Sequence, residues 1–561
     1  MRDSPGARED TGVERCADVD LEGLLGAARD ALGDFGRAQV GAEPELFLRA
    51  ERRLAVEHDA ATGTSVLNAG ESLLATAKVG RDEGLGHAAM PVCEAQDLRR
   101  VLALAAEPWR RLSKGPAARA SAAQGTERGD IPSGSVAPRH DASSRASSHA
   151  TTAAPPGTSA EVSAPAADSH GASRNAAPRA GDVSALGASS RESSRPEEAA
   201  EAGGAASPNA REAVPAGVAN RVRDDASRDA AVSLAEVSSP RGPPLLRPTD
   251  FAERAARAVR EVVPAGVVVQ AAVLTQVASW CALVHDGRAR RLDASSREDF
   301  FVRVETARGA VVDALSSAPA LLDAGLPALR ARLTEAVAAL NGPAGAVDPS
   351  LPVVLCPAVA APLVAGLAWL LRGDVVAATP ALARAVGRKV FPSVLTVEDD
   401  PAHSGGTRAR AMDDEGHPVS LLRLVDAGRL MGFLHASVTA ARLGSAPNGR
   451  GLRAPGELPS PEALNLHIVP RGDALPADYT ELVARVETFT TMARPGTVSL
   501  VAAGWEVRGG ERIRRLAPVE LDLSVLETFR ALRGVGADLT FFPTADGCGT
   551  PSLHFPPLLG R

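Results

Sequence analysis

The sequence predicts an α+β protein built from a small N-terminal α+β domain and a larger, strand-rich C-terminal α+β domain. Three observations lead there. Amphipathic helices at the two ends of residues 17–113 enclose strand-like segments, a long aromatic-free stretch interrupts the chain, and the second half alternates short apolar runs with turns. The 561 residues allow three or four domain-sized pieces at about 150 residues each.

The elements follow in chain order. Residues 1–16 are polar and charged and are read as a disordered N-terminus without the apolar core of a signal peptide. Asp20 is placed to cap a helix whose Leu21, Leu24, Leu25, Ala28 and Leu32 share one face. Glu45–Glu57 reads as a strand or hairpin arm, followed by Ser65–Asn68 and a glycine turn at GRDEGLG, 80–86. Leu98, Val101, Leu102, Ala105 and Trp109 mark a second helix.

From Lys114 to Pro248 there is no Phe, Trp or Tyr, and Ala, Ser, Gly, Pro and Arg dominate. Such a composition buries too little apolar area to offset chain entropy, so 114–248 is expected to be a disordered linker. Beyond it, within a middle region spanning 249–350, Phe251–Val262 is a helix with Ala255, Ala256, Val259 and Val262 inward. Val267–Leu274, Trp280–Val284, Phe300–Glu305 and Ala310–Asp313 are strands, Asp286–Gly287 a turn, and Leu326–Leu340 a helix. In the C-terminal domain, 351–561, a strand at Pro352–Cys356 leads into a helix from Ala358 to Leu371. Leu351–Leu371 is uncharged and of spanning length, yet its three prolines favour a buried strand and helix over a membrane segment. Further strands fall at Leu395–Glu398, Val419–Val425, Gly432–Leu434, Asn465–Ile468 and Val498–Val507, with a last helix at Ser524–Leu532.

Charge and composition exclude some functions. A net charge of −7, a pI near 6.0 and 3% aromatics argue against nucleic acid as a partner, and no membrane association is expected. Cys16, Cys93, Cys281, Cys356 and Cys548 are scattered without a C-x-x-C pair, so neither a disulfide framework nor a four-thiolate zinc site is expected. A reducing, cytoplasmic location follows from that usage and from the polar N-terminus.

Eight segments in the C-terminal half carry a resemblance. VVLCP (353–357), LLRGDVV (370–376), VFPSVLTVEDDP (390–401), AMDDEGHPVSLLRLVDAGRLMGFLHASVTAARLG (411–444), NGRG (448–451), NLHIVPRGDA (465–474), GWEVRGGERIRRLAPVEL (504–521) and the ending around ALRGVGADL and ADGCG occur in the order of the TldD/PmbA family. The sequence resembles that family most over these two hundred or so residues. Subtracting the linker leaves about 425 residues, a size that suits an ordinary member.

The resemblance implies a zinc metallopeptidase lineage. Active members carry H-E-x-x-x-H on the helix after the strand that corresponds here to Val353–Cys356, with a cysteine near the C-terminus as third ligand. Two imidazoles and a thiolate hold the metal, and the glutamate takes a proton from bound water. In this sequence those helix positions fall at or within one residue of Ala365, Gly366 and Leu370, and only Cys548 matches a ligand. No register shift repairs the motif, because no His lies between His285 and His403 and no Glu between Glu335 and Glu398. The chain is therefore similar to the PmbA/TldE-type branch, which lacks the motif and pairs with an active TldD-like subunit. The expected role is an inactive subunit that shares a peptide substrate with that partner, with no catalytic residue, no cofactor and Cys548 a vestigial ligand position. The alternatives are a metallopeptidase with a relocated metal site and a non-enzymatic regulatory or scaffold protein.

The remaining polar features have blander readings. His403, His417, His435, His467 and His554 show no ligand-like spacing. Glu398–Asp400 and Asp413–Glu415 are two acidic triplets beside strands, expected to be solvated turns. GRDEGLG lacks the strand-to-helix context of a phosphate loop, and no G-x-S-x-G elbow is present.

Overall fold

The computed structural model describes residues 21–39, 41–59, 64–80, 85–113, 247–317, 322–489, 496–543 and 547–559. The expected N-terminal tail, the Asp20 cap, most of the GRDEGLG turn and the linker up to residue 246 lie outside the described residues.

α1 (Leu21–Ala38) buries Leu24, Leu25, Ala28 and Leu32, the stripe read from the sequence. Three strands follow: β1 (Pro44–Asp59), β2 (Thr64–Val79) and β3 (Gly86–Pro91). α2 (Ala95–Ser113) buries Leu98, Val101, Leu102 and Ala105 completely. After the linker, α3 (Pro248–Val262) starts on a proline at its first position, where the missing N–H costs nothing. Its inward face is Phe251, Ala255, Ala258 and Val262; Ala256, expected inside, is exposed, and Val259 is only half-buried. The helix is anchored by the phenylalanine, which sets a rotation that the alanines alone do not specify.

β4 (Val268–His285), β5 (Arg288–Thr306) and β6 (Gly309–Ser317) are longer than the sequence suggested. The two strands expected between 267 and 284 are one, because Thr275–Ser279 pairs with β1 on one side and β5 on the other. Asp286 and Gly287, with φ of 51° and 70°, make the expected two-residue hairpin turn. The six strands form a single antiparallel sheet in the order β3-β2-β1-β4-β5-β6, so the strands of 17–113 and those of 249–350 share one sheet.

That sheet alternates faces residue by residue. One face packs on helices throughout. Leu46, Leu48, Ala282 and Val284 meet α1 and α2 at one end. Leu54, Val56, Leu274, Phe300 and Val302 meet α3 and α4 (Leu322–Leu340) at the other. The second cluster also takes in Val483, Ala484, Val486 and Ala503. α4 is therefore shared between the long sheet and the C-terminal part.

The C-terminal part holds two larger sheets and a two-stranded one that pairs Gly451–Leu452 with Ser460–Pro461. An eight-stranded sheet is centred on Val353–Leu355, Tyr479–Phe489 and Thr497–Arg508, and a six-stranded one on Leu422–Asp426, Val397–Asp399 and Leu466–Ile468. α5 (Pro357–Leu370) packs on strands of both and centres their common core. No helix among the described residues is long and apolar enough to cross a membrane. The expected strand at Gly432–Leu434 is absent; pairing ends at Arg429–Leu430, and Leu434 makes only an isolated bridge to Arg372. Tyr479–Phe489 and the short helix Ser437–Leu443 carry no sequence expectation.

Glu298 on β5 is fully buried, bonded to Gln276 and paired with Arg254 at 2.9 Å. Burial pushes its carboxyl up to about 7, against the pull of Arg254. The folded chain therefore holds this proton where the unfolded chain has lost it, so the contribution to stability is complete at low pH and disappears as pH rises through the folded value. Glu298→Gln should gain on the wild type by roughly 1–3 kcal/mol between pH 5 and pH 8. Urea unfolding at several pH values measures it, and a pH-independent difference would contradict the buried-acid account.

Candidate functional site

The strand Val353–Leu355 and α5 place the motif window where the resemblance predicts it. Ala365 and Leu370 pack against the central core, and Gly366 faces Val525 and Val498. A β-carbon at Gly366 would lie 2.8 Å from the Cγ2 of Val525 and 3.2 Å from that of Val498. Cys548 is fully buried in the same apolar core. Alanine, glycine and leucine offer no donor atom, so these four positions do not fit a zinc ion. Among the described residues no three His, Cys, Asp or Glu side chains gather as a ligand set.

The acidic triplets behave differently from the solvated turns expected of them. Asp399, Asp413 and Asp414 are all fully buried. Asp399 pairs with the equally buried Arg450 and accepts from the backbone N–H groups of Leu464, at 3.0 Å, and Asn465, at 2.6 Å. Arg450 donates to the carbonyls of Asn448, Gly449, Asp399 and Ser420 at 2.8–3.3 Å. Asp413 accepts from the amides of Glu415, His417 and Gly451, and Asp414 from that of Arg453 and from the Arg410 side chain. A carboxylate surrounded by N–H donors tolerates burial, which composition at a turn does not reveal. Glu398, nearer the surface, pairs with Arg423.

The tertiary fold also joins two histidines that their spacing kept apart. The rings of His403 and His467 are 4.7 Å apart, with Phe541 packed on both. Burial holds His403 below the usual imidazole range, and His467 adds to the effect. The Nδ1 of His403 accepts from the Gly405 amide, and that of His467 bonds the Asn465 carbonyl.

The second face of the long sheet forms the wall of a cleft. Arg49, Cys281 and Asp293 lie opposite one another across β1, β4 and β5, with Glu51, Ser279 and Ser295 in the next row. Loops at 407–410, 453–455 and 462–464 close over these rows and leave a cavity of about 300 Å³. Burial pushes the Cys281 thiol up to about 12, which removes it as a nucleophile near neutral pH. Burial likewise raises Asp293, whose carboxylate accepts from Ser295 at 3.0 Å. Arg49, Arg410 and Arg453 were not singled out in the sequence. The available signal was the alternation of Leu46, Leu48 and Ala50 with Arg49, Glu51 and Arg53 along one strand.

With this geometry in view, comparison with other proteins defines the class. Residues 349–558 match the PmbA/TldA metallopeptidase C-terminal domain, which makes this part a metallopeptidase-related α+β domain. Over that span the chain is similar to the PmbA/TldD family. It is 26% identical over 179 residues to a metalloprotease of Synechocystis sp., covering 29% of this chain and 36% of the relative. It is 28% identical over 163 residues to a metalloprotease of Methanothermobacter thermautotrophicus, covering 27% and 35%. The chain thus spans about a third of the length of these curated relatives. In fold it is similar to the crystal structure of TldE from Thermococcus kodakarensis, with a TM-score of 0.61 and 15% identity over 95% of this chain and 99% of that one.

Two variants probe the site's construction. Arg450→Met leaves Asp399 buried without its counter-ion and should cost about 3–5 kcal/mol in urea unfolding; a loss below about 1 kcal/mol would mean that the pair is solvated. Gly366→Ala gains up to about 1 kcal/mol of helix propensity but crowds Val525 at a cost of about 1–3 kcal/mol. Overpacking should win, and a raised urea midpoint would show that this face of α5 is open.

Proposed function

We propose that this chain is a catalytically silent, cytoplasmic subunit of the PmbA/TldE type that completes a peptide-processing cleft with an active TldD-like metallopeptidase. The observation that carries the reading is the replacement of the motif positions by Ala365, Gly366 and Leu370, with the Gly366 face filled by Val498 and Val525. Cys548 is left as a single thiolate position inside an apolar core. One sulfur cannot retain zinc against water, and Ala365, Gly366 and Leu370 supply no imidazole or carboxylate to generate a nucleophilic hydroxide. The family relationship of 349–558 and the TldE-like fold support a role beside a peptidase rather than an unrelated activity.

Purified alone, the full chain should contain zinc well below one ion per molecule and leave an unfolded fluorogenic peptide intact. Mixed with a TldD-like subunit that carries H-E-x-x-x-H, it should co-elute with it and support chelator-sensitive cleavage. Cys548→Ala should leave cleavage by that complex nearly unchanged. Stoichiometric zinc together with chelator-sensitive cleavage by the isolated chain would overturn the silent-subunit reading in favour of a relocated metal site. Failure to associate with any such subunit would favour the scaffold reading.

A further inference from the structure

The strand Val519–Ser524 lies at an open edge of the eight-stranded sheet. It pairs antiparallel with Thr497–Ala502 on one side, and among the described residues no strand pairs with its other side. Ladder bonds in an antiparallel pair fall on every second residue. The Val525 N–H bonds the Gly496 carbonyl at 2.8 Å, so in steps of two Leu523, Leu521 and Val519 turn their backbone groups toward the partner strand. Glu520 and Asp522 therefore turn their N–H and C=O groups outward, and both residues are exposed. Such an edge is a template for one more strand.

The edge borders a groove of about 700 Å³ that Glu527, Thr528, Ala531, Leu558 and Leu559 also line. The strand's two faces differ there. Leu521 and Leu523 join the central core, against which Leu558 and Leu559 pack, whereas Glu520 and Asp522 are exposed on the other face. No Lys or Arg lines the groove, but the three carboxylates Glu520, Asp522 and Glu527 do. Glu527 pairs with Arg530 at 2.6 Å, and Asp522 accepts from the neutral Ser499 hydroxyl at 2.8 Å. Three carboxylates less that one guanidinium leave −2 with the counter-ion counted. Two copies of this edge set against each other would bring carboxylates beside carboxylates, which is unfavourable. A segment with cations at alternate positions satisfies both the open backbone groups and the charge.

We infer that the edge strand Val519–Ser524 is a docking site for an extended peptide segment that alternates Lys or Arg with apolar residues and binds as an added strand. The segment's N–H groups donate to the outward carbonyls of Glu520 and Asp522, and its carbonyls accept from their amides. Its basic side chains lie beside the Glu520 and Asp522 carboxylates, and its apolar ones beside Leu521 and Leu523, toward Leu558 and Leu559. The strand has six residues, so the recognised segment spans about 20 Å.

The test uses the full chain and short labelled peptides. One alternates Lys and Val, one alternates Glu and Val, and two further forms of the Lys peptide are N-methylated either at the Lys amides or at the Val amides. Fluorescence anisotropy should show the Lys peptide binding about tenfold more tightly than the Glu peptide. One methylated form should lose binding and the other keep it, because only alternate amides of an added strand face the edge. Glu520→Lys combined with Asp522→Lys should reverse the charge preference with an unchanged thermal midpoint, since both side chains are exposed. Equal binding of the Lys and Glu peptides, or a preference for Lys that survives the reversal, overturns the site. Binding retained by both methylated forms is a contact through charge alone and overturns strand addition. None of these outcomes bears on zinc content or cleavage, so the inference stands or falls separately from the silent-subunit reading.

Discussion

The buried ion pair of Arg450 and Asp399 is the constraint on which the C-terminal architecture depends. A fully enclosed guanidinium has to spend its donors. It does so on the Asp399 carboxylate and carbonyl and on carbonyls of the loops at 448–449 and 420, while Asp399 in turn takes the amides of Leu464 and Asn465. Loops that would otherwise carry unsatisfied backbone groups are thereby fixed to the strand Val397–Asp399. Asp413 and Asp414 extend the same device to Gly451 and Arg453, so the loops that cover the cleft are held by carboxylates rather than by apolar packing. Such a network specifies one arrangement because any partial version leaves a charge stranded in a medium of low dielectric.

Against this polar framework stands an apolar one. α5 packs between two sheets, and α4 shares its core with the long sheet and the strands Tyr479–Phe489 and Thr497–Arg508. The alternation of the long sheet separates the two roles. One face supplies leucines, valines and phenylalanine to the helices, and the other presents Arg49, Glu51, Asp293 and Ser295 to the loops. The cleft is thus a consequence of the sheet's period and of the loop network meeting over it.

α5 shows how tightly its own apolar positions pack. Gly366 accepts the methyl groups of Val498 and Val525, and Ala365 and Leu370 join the surrounding core. The apolar replacements are consistent with one another, each filling volume its neighbours leave.

Much of the framework was legible from the sequence. Helical periodicity located α1 and α2, because burial of one stripe is a local property of spacing, and the uncharged, proline-interrupted run from Leu351 to Leu371 located a buried strand and α5. Ordered motifs located the resemblance to the family, since their order is visible without coordinates. Strand extents were less legible: β4 and β5 run through polar segments because their partners supply the hydrogen bonds, and Tyr479–Phe489 is a strand because Val353–Leu355 and Thr497–Arg508 flank it. The acidic triplets were misread as solvated because the donors that neutralise them lie tens of residues away, at Arg450, Gly451 and Leu464. By itself the sequence determined which residue types stand at the motif positions, Ala365, Gly366 and Leu370, and which faces must be buried. Only the tertiary structure decided which charges face each other, because Coulomb and hydrogen-bond energies depend on distances between residues that the chain order does not relate.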